Sequence, residues 1–373
     1  MVRFVHTSDW QLGMTRAFLG DEAQARYSAA RVEAIEAIGR AARERGAAFV
    51  VVAGDVFETN LVPADVVRRA LDAMRDAGVP FYLLPGNHDP AGPGSVWGSR
   101  RFVDRLPGKV QVLGAEPVEA APGTWVAGVP WRSKQAPPED AFRAAVERLA
   151  GCAGERVLVA HGQVEFAPDA AVTLPRELVA WAIRERGVGY VALGDRHSVT
   201  DAGCDGRAWY SGTPEQTDYD EREPGCVLVV ELEGGRCAVE PVRIGRWRFV
   251  ERELEVRSSE DLRREVAALE ALPEKTRTVL RLRVRGSGSP ALRAALAEGI
   301  RELGTGFAAI EPWERYARFH VVAEGADWEA LGLTGFAAAA AGELNARAAG
   351  DGPEAAEATE ALALLYELAR GGG

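Results

Sequence analysis

The sequence predicts an α/β protein with a second, smaller α/β region, and three observations support this. Over the first ~250 of 373 residues, short apolar runs alternate with amphipathic stretches, which is typical of strands alternating with helices. From Arg207 the pattern becomes rich in strand-like segments. A chain of this length exceeds what one compact domain usually holds, so more than one domain is expected.

The candidate strands of the first region are five apolar runs: "VRFVHT", "AAFVVVAGD", "PFYLLPGN", "RVLVAHG" and "GYVALGD". Helices are predicted between them, for example over 21–45 and 63–77. From Arg207, four segments predict antiparallel strands joined by tight turns such as "EGG". They are "RAWYSG", "CVLVVEL", "CAVEPVRI" and "RWRFVEREL".

A domain boundary is predicted near "VRSSEDLRRE", where Ser258 or Ser259 is a good helix N-cap. We therefore expect domains at 1–255 and 256–330, followed by a C-terminal helical segment at 331–373. The predicted elements of the second domain are a helix at 259–271, the strand "TRTVLRLRVRG", a helix at 290–303 and the strand "RYARFHVVAE". The tail predicts two helices broken at "GDGPEA".

Composition limits the classes of protein to which this chain can belong. No apolar run approaches the ~20 residues of a membrane span, so no membrane association is expected. The four cysteines have no CxxC spacing, which favours reduced thiols in a cytoplasmic protein. The net charge of −11 argues against a basic coat, but a local basic track could still bind nucleic acid.

Polar residues of metal-binding type follow all five candidate strands. They are Asp9 and Gln11, then Asp55, then Asn87, His88 and Asp89, then His161, and finally Asp195 and His197. Binding sites in open α/β sheets gather at the carboxyl ends of strands, so these residues are expected to form one cluster. Mixed carboxylate, amide and imidazole groups suit a pair of divalent ions better than a thiolate zinc site.

Each of these residues alone has an ordinary structural explanation. An Asp after a strand is usually a turn residue or helix cap, and "GNHD" could be only a turn. Five successive strand ends would need the same coincidence, which favours the metal cluster.

The order of these motifs resembles that of the calcineurin-like metallophosphoesterases: D-x-H, GD, GNHD, a lone H after a strand, and GHxH. Here it is Asp9-x-Gln11, Gly54-Asp55, "GNHD" at 86–89, His161 and Gly194-Asp195-x-His197. Within the family, "FVHTSDWQLG", "VAGDVFETN" and "YSGTPEQTDYDE" resemble segments of SbcD-type DNA repair exonucleases. The resemblance implies a four-layer αββα sandwich, and 256–330 is similar to the capping domain of these nucleases.

The resemblance also implies two divalent ions ~3.5–4 Å apart that share Asp55. We expect Mn²⁺ as the metal, with Mg²⁺ as the second choice. The other implied ligands are Asp9, Gln11 and His197 at one ion, and Asn87, His161 and Asp195 at the second. His88 would steady the phosphate or protonate the leaving oxygen. Asp89 would orient His88 or cap the following turn.

Two family histidines are missing, because Gln11 and Asp195 stand in their places. Both changes replace nitrogen with oxygen, so we expect a harder site that favours Mn²⁺ or Mg²⁺ over Zn²⁺. Arg196, and Trp131 and Arg132 in "GVPWRSKQAPPED", are candidate substrate contacts.

The function expected from these features is metal-dependent hydrolysis of DNA phosphodiester bonds. The partners implied by the resemblance are DNA, an SbcC-like SMC-type ATPase docked on the C-terminal helices, and a second copy of the chain. Two alternatives remain open: a non-catalytic DNA- or ATPase-binding subunit with an impaired metal site, and a phosphoesterase for small molecules.

Overall fold

The computed structural model describes residues 1–164, 173–312, 318–321, 333–348, 350 and 353–371. The chain divides into two compact units. The larger unit comprises Met1–Ala17 and Gln24–Trp247, and the smaller comprises Phe18–Ala23 and Arg248–Gly373. Within the described residues, no helix is both long enough and apolar enough to span a membrane.

Strands β1 to β12 belong to the larger unit. In chain order they are β1 (Val2–Thr7), β2 (Val50–Val52), β3 (Phe81–Leu83), β4 (Val110–Val112), β5 (Val118–Ala121), β6 (Thr124–Val129), β7 (Glu155–His161), β8 (Tyr190–Gly194), β9 (Thr200–Gly203), β10 (Ala208–Tyr210), β11 (Cys226–Glu233) and β12 (Arg236–Arg243). The first five helices are α1 (Asp21–Glu44), α2 (Ala64–Ala77), α3 (Arg100–Val103), α4 (Glu139–Ala150) and α5 (Arg176–Arg184).

Two sheets form the centre of the larger unit. One has the strand order β12-β11-β1-β2-β3-β4, and the other has the order β5-β6-β7-β8-β10-β9. Pairing is parallel from β1 to β4 and from β6 to β8. The carboxyl ends of these strands therefore present their following loops at one edge of each sheet.

Alternating side chains of these strands build two kinds of core. In β1, Val5 packs in the cluster that includes Ile35 of α1, while Phe4 packs in the cluster between the sheets. In β7, Leu158 packs with residues of α4 and α5, while Val159 faces the other sheet. This period of two, with both faces buried, produces helix, sheet, sheet and helix layers and confirms the predicted αββα fold.

The smaller unit is also α/β. Its strands are β13 (Arg248–Val256), β14 (Thr278–Gly288), β15 (Ala309–Pro312) and β16 (Arg318–Val321), and its helices are α6 (Ser259–Glu270), α7 (Pro290–Gly304), α8 (Phe336–Ala348) and α9 (Pro353–Gly371). Strand β14 pairs in parallel with the other three. Ser258 caps α6, accepting the Asp261 backbone N–H at 3.1 Å. The remainder of the predicted strand "RYARFHVVAE" lies outside the described residues.

The structure corrects two predictions about the strands after Arg207. Strand β10 pairs in parallel with β8 as well as antiparallel with β9, and "RWRFVEREL" forms β13 in the smaller unit, in parallel with β14. Alternation of apolar residues identifies a strand but does not identify the strand with which it pairs. Two parallel strands need a crossover connection between them, and helix α6, which lies between β13 and β14 in the chain, provides it. The two compact units meet at 247/248, and β13 is the first strand of the smaller unit.

A buried histidine joins the two sheets. His6 of β1 is fully buried, its Nε2 lies 3.1 Å from the Leu193 carbonyl of β8, and its Nδ1 lies 3.0 Å from the Tyr190 hydroxyl. The carbonyl can only accept, so Nε2–H donates to it and Nδ1 accepts from Tyr190. Burial lowers the pKa of His6 from 6.5 to about 3, so the folded protein holds this ring neutral.

His6 is therefore expected to make stability fall in mild acid. Below pH 6.5 His6 is protonated in the unfolded chain but stays neutral in the folded protein. The contribution of neutral His6 to the free energy of unfolding is therefore fully present above pH 6.5 and is lost as the pH falls toward 3. When the pH is lowered from 7 to 5, the free energy of unfolding should fall by about 2 kcal/mol more in the wild type than in the His6→Gln variant. Urea denaturation at both pH values, in EDTA, measures this; equal losses would contradict it.

Candidate metal centre

The loops after strands of both sheets bring three buried residues together. Asp9 follows β1, Asp55 follows β2, and His161 ends β7. One ligand atom from each lies within 4.8 Å of the others. Because the parallel strands of both sheets end on this side, sequence-distant carboxylates and an imidazole share one small volume.

His161 is oriented with one nitrogen toward oxygen atoms of this cluster. Its Nε2 lies 2.6 Å from Asn87 Oδ1, 3.4 Å from Asp55 Oδ2 and 3.6 Å from Asp195 Oδ1. Its Nδ1 lies 2.8 Å from the Ala53 carbonyl, which can only accept, so Nδ1 carries a hydrogen. Once deprotonated, Nε2 would present its lone pair among three side-chain oxygens, as a metal ligand requires.

Asp9 connects the loops after β1 and β8. Its carboxylate accepts the Ser8 hydroxyl at 2.6 Å and the Asp195 backbone N–H at 3.1 and 3.2 Å. Four predicted ligands have left-handed backbone conformations, with φ of 54° at Asp9, 42° at Gln11, 54° at Asp55 and 93° at Asp195. Such conformations are unfavourable for these residues and concentrate at functional sites.

Gln11 has an unsatisfied buried oxygen. Its side chain is 3% exposed, and within the described residues its Oε1 has no hydrogen-bond partner. A buried amide oxygen left in this state costs about 1–3 kcal/mol. The Gln11 backbone N–H donates to the Asp55 carbonyl at 2.8 Å, so Gln11 lies next to a residue of the cluster. A carbonyl oxygen without a partner is a ligand of the kind that divalent ions take, so the residues present fit such an ion.

The electrostatics of the cluster favour bound positive charge. Burial raises the pKa of Asp9, and the nearby Asp55 carboxylate raises it further. Burial alone would lower the pKa of His161, but Asp55, Asp9 and Asp195 raise it to about 10. With no cation present, His161 therefore holds a proton at neutral pH to balance the carboxylates.

His88 lies at the edge of the cluster. Its backbone N–H donates to Asp55 Oδ1 at 2.9 Å, and its Nε2 lies 4.0 Å from Asp55 Oδ2. Its Nδ1 lies 3.1 Å from the Glu58 carbonyl, so Nδ1–H donates there and Nε2 faces the site. The ring is about one-third exposed, which suits a group that meets substrate.

Asp89 has neither of its two predicted roles. Its carboxylate accepts the Phe57 backbone N–H at 2.9 Å and the Gly86 backbone N–H at 2.8 Å. It therefore holds the loops after β2 and β3 together, instead of orienting His88 or capping the turn that follows.

A hydrogen-bonded carboxylate that the sequence did not assign orients His197. The His197 Nδ1 lies 2.8 Å from Thr217 Oγ1 and 3.0 Å from Glu221 Oε1. Since the carboxylate accepts, Nδ1 carries the hydrogen, and Nε2 is the nitrogen left for a metal. Glu221 lies in the quoted segment "YSGTPEQTDYDE", but a separation of 24 residues gave no indication of its partner.

Removing the charge of Glu221 should weaken metal binding. Glu221→Gln keeps the size but supplies a poorer acceptor for His197 Nδ1–H, so we expect about 10- to 100-fold weaker Mn²⁺ binding. Glu223→Gln, the same change at an exposed position nearby, is the control. Isothermal titration of both variants measures this, and equal affinities would show that Glu221 has no orienting role.

The substrate-contact candidates have different environments. Trp131 is buried, and its indole N–H donates to the His161 carbonyl at 2.8 Å, so the structure corrects its predicted role to a supporting one. Arg196 is half-buried and its Nε donates to Thr200 Oγ1 at 3.0 Å. Arg132 is exposed. Substrate contact by Arg132 and Arg196 stays a prediction.

Comparison with known proteins identifies relatives of this chain. The family model for calcineurin-like phosphoesterases matches residues 2–230. The DNA double-strand break repair protein Mre11 of Haloferax volcanii is 31% identical over 248 residues, which is 62% of this chain and 50% of the relative. The chain thus spans about half the length of this curated relative.

Two solved structures are also similar. The protein TT1561 of Thermus thermophilus is 14% identical with a TM-score of 0.42, covering 65% of this chain and 99% of that chain. A dimetal phosphatase from Danio rerio is 15% identical with a TM-score of 0.43, covering 64% of this chain and 95% of that chain.

Proposed function

Because the chain belongs to the calcineurin-like phosphoesterase family, we propose that it is a two-metal phosphodiesterase that hydrolyses DNA, in the manner of an SbcD-like repair nuclease. The observation that carries the proposal is the buried cluster of Asp9, Asp55 and His161. The buried Oε1 of Gln11, which has no hydrogen-bond partner among the described residues, supports it further. The DNA substrate is supported by the similarity to a relative named as a DNA double-strand break repair protein.

The proposed ligands divide into two sets that share Asp55. They are Asp9, Gln11 and His197 for one ion, and Asn87, His161 and Asp195 for the other. Asp55 suits the shared position because it is buried, and His161 and His88 hold its pKa below the ordinary value although burial alone would raise it. A carboxylate that stays ionised can hold two cations close together.

The oxygen-rich set should favour Mn²⁺, then Mg²⁺, over Zn²⁺, because amide and carboxylate oxygens are hard donors. In a competition titration we expect Gln11→His to shift preference toward Zn²⁺. Equal or tighter Zn²⁺ binding by the wild type would contradict the proposed hard site.

The chemistry combines the ions with groups of this chain. Two bound ions would supply a nucleophile at neutral pH and neutralise phosphate oxygens. His161 would lose its Nε2 proton when metal binds, while its Nδ1–H would keep its hydrogen bond to the Ala53 carbonyl. His88 presents Nε2 to the phosphate, where a proton can stabilise or protonate the leaving oxygen. The Asp89 carboxylate holds the loops after β2 and β3 together, because it accepts one backbone N–H from each.

The proposal extends to partners and location. The smaller unit would contribute a capping domain at 256–330, and 331–373 would dock an SbcC-like SMC-type ATPase. Exposed Leu364 and Leu368 on α9 support a docking role for that helix. A homodimer and a cytoplasmic location, in keeping with the free cysteines, complete the proposal.

Degradation of end-labelled linear DNA, single- and double-stranded, tests this function. The full chain is assayed in Mn²⁺, Mg²⁺ or EDTA, alone and with an SMC-type ATPase partner. We expect cleavage with Mn²⁺ and none with EDTA. Folded protein that cleaves neither DNA in any of these conditions would instead support a binding subunit whose site is impaired at Gln11 and Asp195.

A further inference from the structure

Lys134, a residue outside the metal cluster, contacts the loop that follows β3. Its Nζ donates to the Asn87 carbonyl at 2.6 Å and lies 3.5 Å from the His88 carbonyl oxygen. Asn87 is a proposed metal ligand, and His88 is the proposed acid. A positively charged side chain therefore rests on the segment that carries two residues of the site.

Trp131 fastens the loop of Lys134 to the loops of the metal centre. The Trp131 backbone N–H donates to the Pro85 carbonyl at 3.1 Å, and the Trp131 carbonyl accepts the Ala91 backbone N–H at 2.8 Å. Its indole N–H donates to the His161 carbonyl at 2.8 Å. These bonds reach both ends of the "GNHD" segment and the end of β7. Lys134, three residues further along the chain, is therefore held beside the site.

The Lys134 ammonium group keeps donor capacity for an anion. An ammonium group has three N–H donors, and main-chain carbonyls take at most two of them here. The side chain is exposed and forms no ion pair with any residue that the structure describes. A lysine that is bound only to carbonyls keeps its full positive charge for an incoming phosphate.

One peptide group separates Lys134 from the carboxylate that is proposed to bridge the ions. The carbonyl of the peptide between Asn87 and His88 accepts Lys134 Nζ at 2.6 Å, and its N–H donates to Asp55 Oδ1 at 2.9 Å. Because the C=O and C–N bonds are about 1.23 and 1.33 Å long, Nζ lies at most about 8 Å from Asp55 Oδ1. A trans peptide points its C=O and N–H in opposite directions, so Lys134 lies beside the metal centre and not within it.

This position suits a phosphate next to the one at the ions. Neighbouring phosphates of one DNA strand are about 3.4 Å apart along the helix axis and farther apart along the backbone itself. A charge within about 8 Å of Asp55 can therefore meet the next phosphate while the cleaved one lies at the metal centre. We propose that Lys134 binds the phosphate adjacent to the cleaved phosphodiester, and so favours a DNA strand over an isolated phosphodiester. This inference rests on the proposed function.

The test compares Lys134→Ala with Lys109→Ala in the full chain. Lys109 is a matched control, because its exposed Nζ also donates to a main-chain carbonyl, that of Gly78 at 2.8 Å. Gly78 and Lys109 precede β3 and β4, so they lie at the edge of the sheet opposite the metal-site loops. Lys134→Arg retains the charge and serves as the conservative variant.

Two substrates separate contact with a neighbouring phosphate from effects on the metal centre. One is a natural oligothymidylate. The other has the same length, but its single phosphodiester lies among uncharged methylphosphonates. The measured quantity is the ratio of kcat/KM for the natural strand to kcat/KM for the isolated phosphodiester, with Mn²⁺ over a range of salt. Hydrolysis of bis(p-nitrophenyl) phosphate checks that each variant has a working site.

We expect Lys134→Ala to lower this ratio about tenfold, mainly through KM for the natural strand, as loss of a hydrogen bond to a charged group does. The salt dependence of log kcat/KM for the natural strand should be shallower by about 0.7, the contribution of one phosphate contact in single-stranded DNA. Lys134→Arg should keep the ratio within about threefold of the wild type, and Lys109→Ala should match it.

An unchanged ratio in Lys134→Ala would overturn the phosphate contact. If both kcat/KM values fell together, Lys134 would only position the peptide between Asn87 and His88; if neither fell, it would have no role in the reaction. Wild-type protein that hydrolyses bis(p-nitrophenyl) phosphate but neither oligonucleotide would instead overturn the proposed DNA substrate, and with it this inference.

Discussion

The Asp55→Asn variant is expected to lose Mn²⁺-dependent hydrolysis of bis(p-nitrophenyl) phosphate by at least about a thousandfold. Asn keeps an Oδ1 to accept the His88 backbone N–H, so the loop should survive. It removes the negative charge and the second anionic oxygen that Asp55 directs toward His161 at 3.4 Å. The proposed second ion would then lose the carboxylate that it shares with the first.

Asp76→Asn is the control for this substitution, since Asp76 is exposed at the end of α2. Calorimetric titration with Mn²⁺ should give two sites in the wild type and the control, and fewer in Asp55→Asn. If the activity of Asp55→Asn stays within about tenfold of the wild type, the activation free energy has risen by only about 1.4 kcal/mol. That result would show that Asp55 does not bridge the ions.

Replacing His88 should slow the chemical step while leaving metal binding almost unchanged. His88 reaches the cluster through its backbone amide, and its Nε2 lies 4.0 Å from Asp55 Oδ2. For DNA cleavage by His88→Gln, we expect kcat to fall about 10²- to 10⁴-fold, the range for loss of a general acid. Mn²⁺ titration should match the wild type.

The leaving group distinguishes the two roles proposed for His88. An alkoxide leaving from DNA needs a proton, whereas p-nitrophenolate leaves without one. If Nε2 protonates the leaving oxygen, His88→Gln should impair DNA cleavage far more than ester hydrolysis. Equal losses on both substrates would assign His88 to phosphate binding, and no loss on either would remove it from the mechanism.

The sequence predicted that Asp9, Asp55 and His161 lie together, because strand ends are local features. Apolar runs ending in Asp9, Asp55 and His161 identify the residues, and parallel pairing places such ends at one edge. Period-two burial, visible in "VRFVHT", likewise indicated strands buried on both faces and hence the layered fold.

Features that depend on distant partners could not be predicted. Glu221 orients His197 across 24 residues, and no periodicity encodes that hydrogen bond. Trp131 was predicted to contact substrate, but its indole N–H donates to the His161 carbonyl. Strand β13 alternates as an antiparallel strand would, and only its pairing with β14 places it in the smaller unit. In each case the tertiary partner decides the role.

Anomalous diffraction from crystals of the full chain grown with Mn²⁺ tests the central claim most directly. The account predicts two peaks about 3.5–4 Å apart, with Asp55 contacting both and Gln11 Oε1 contacting one. A single peak, or none beside Asp55, would contradict a two-metal enzyme and identify the chain as a binding subunit that retains the fold.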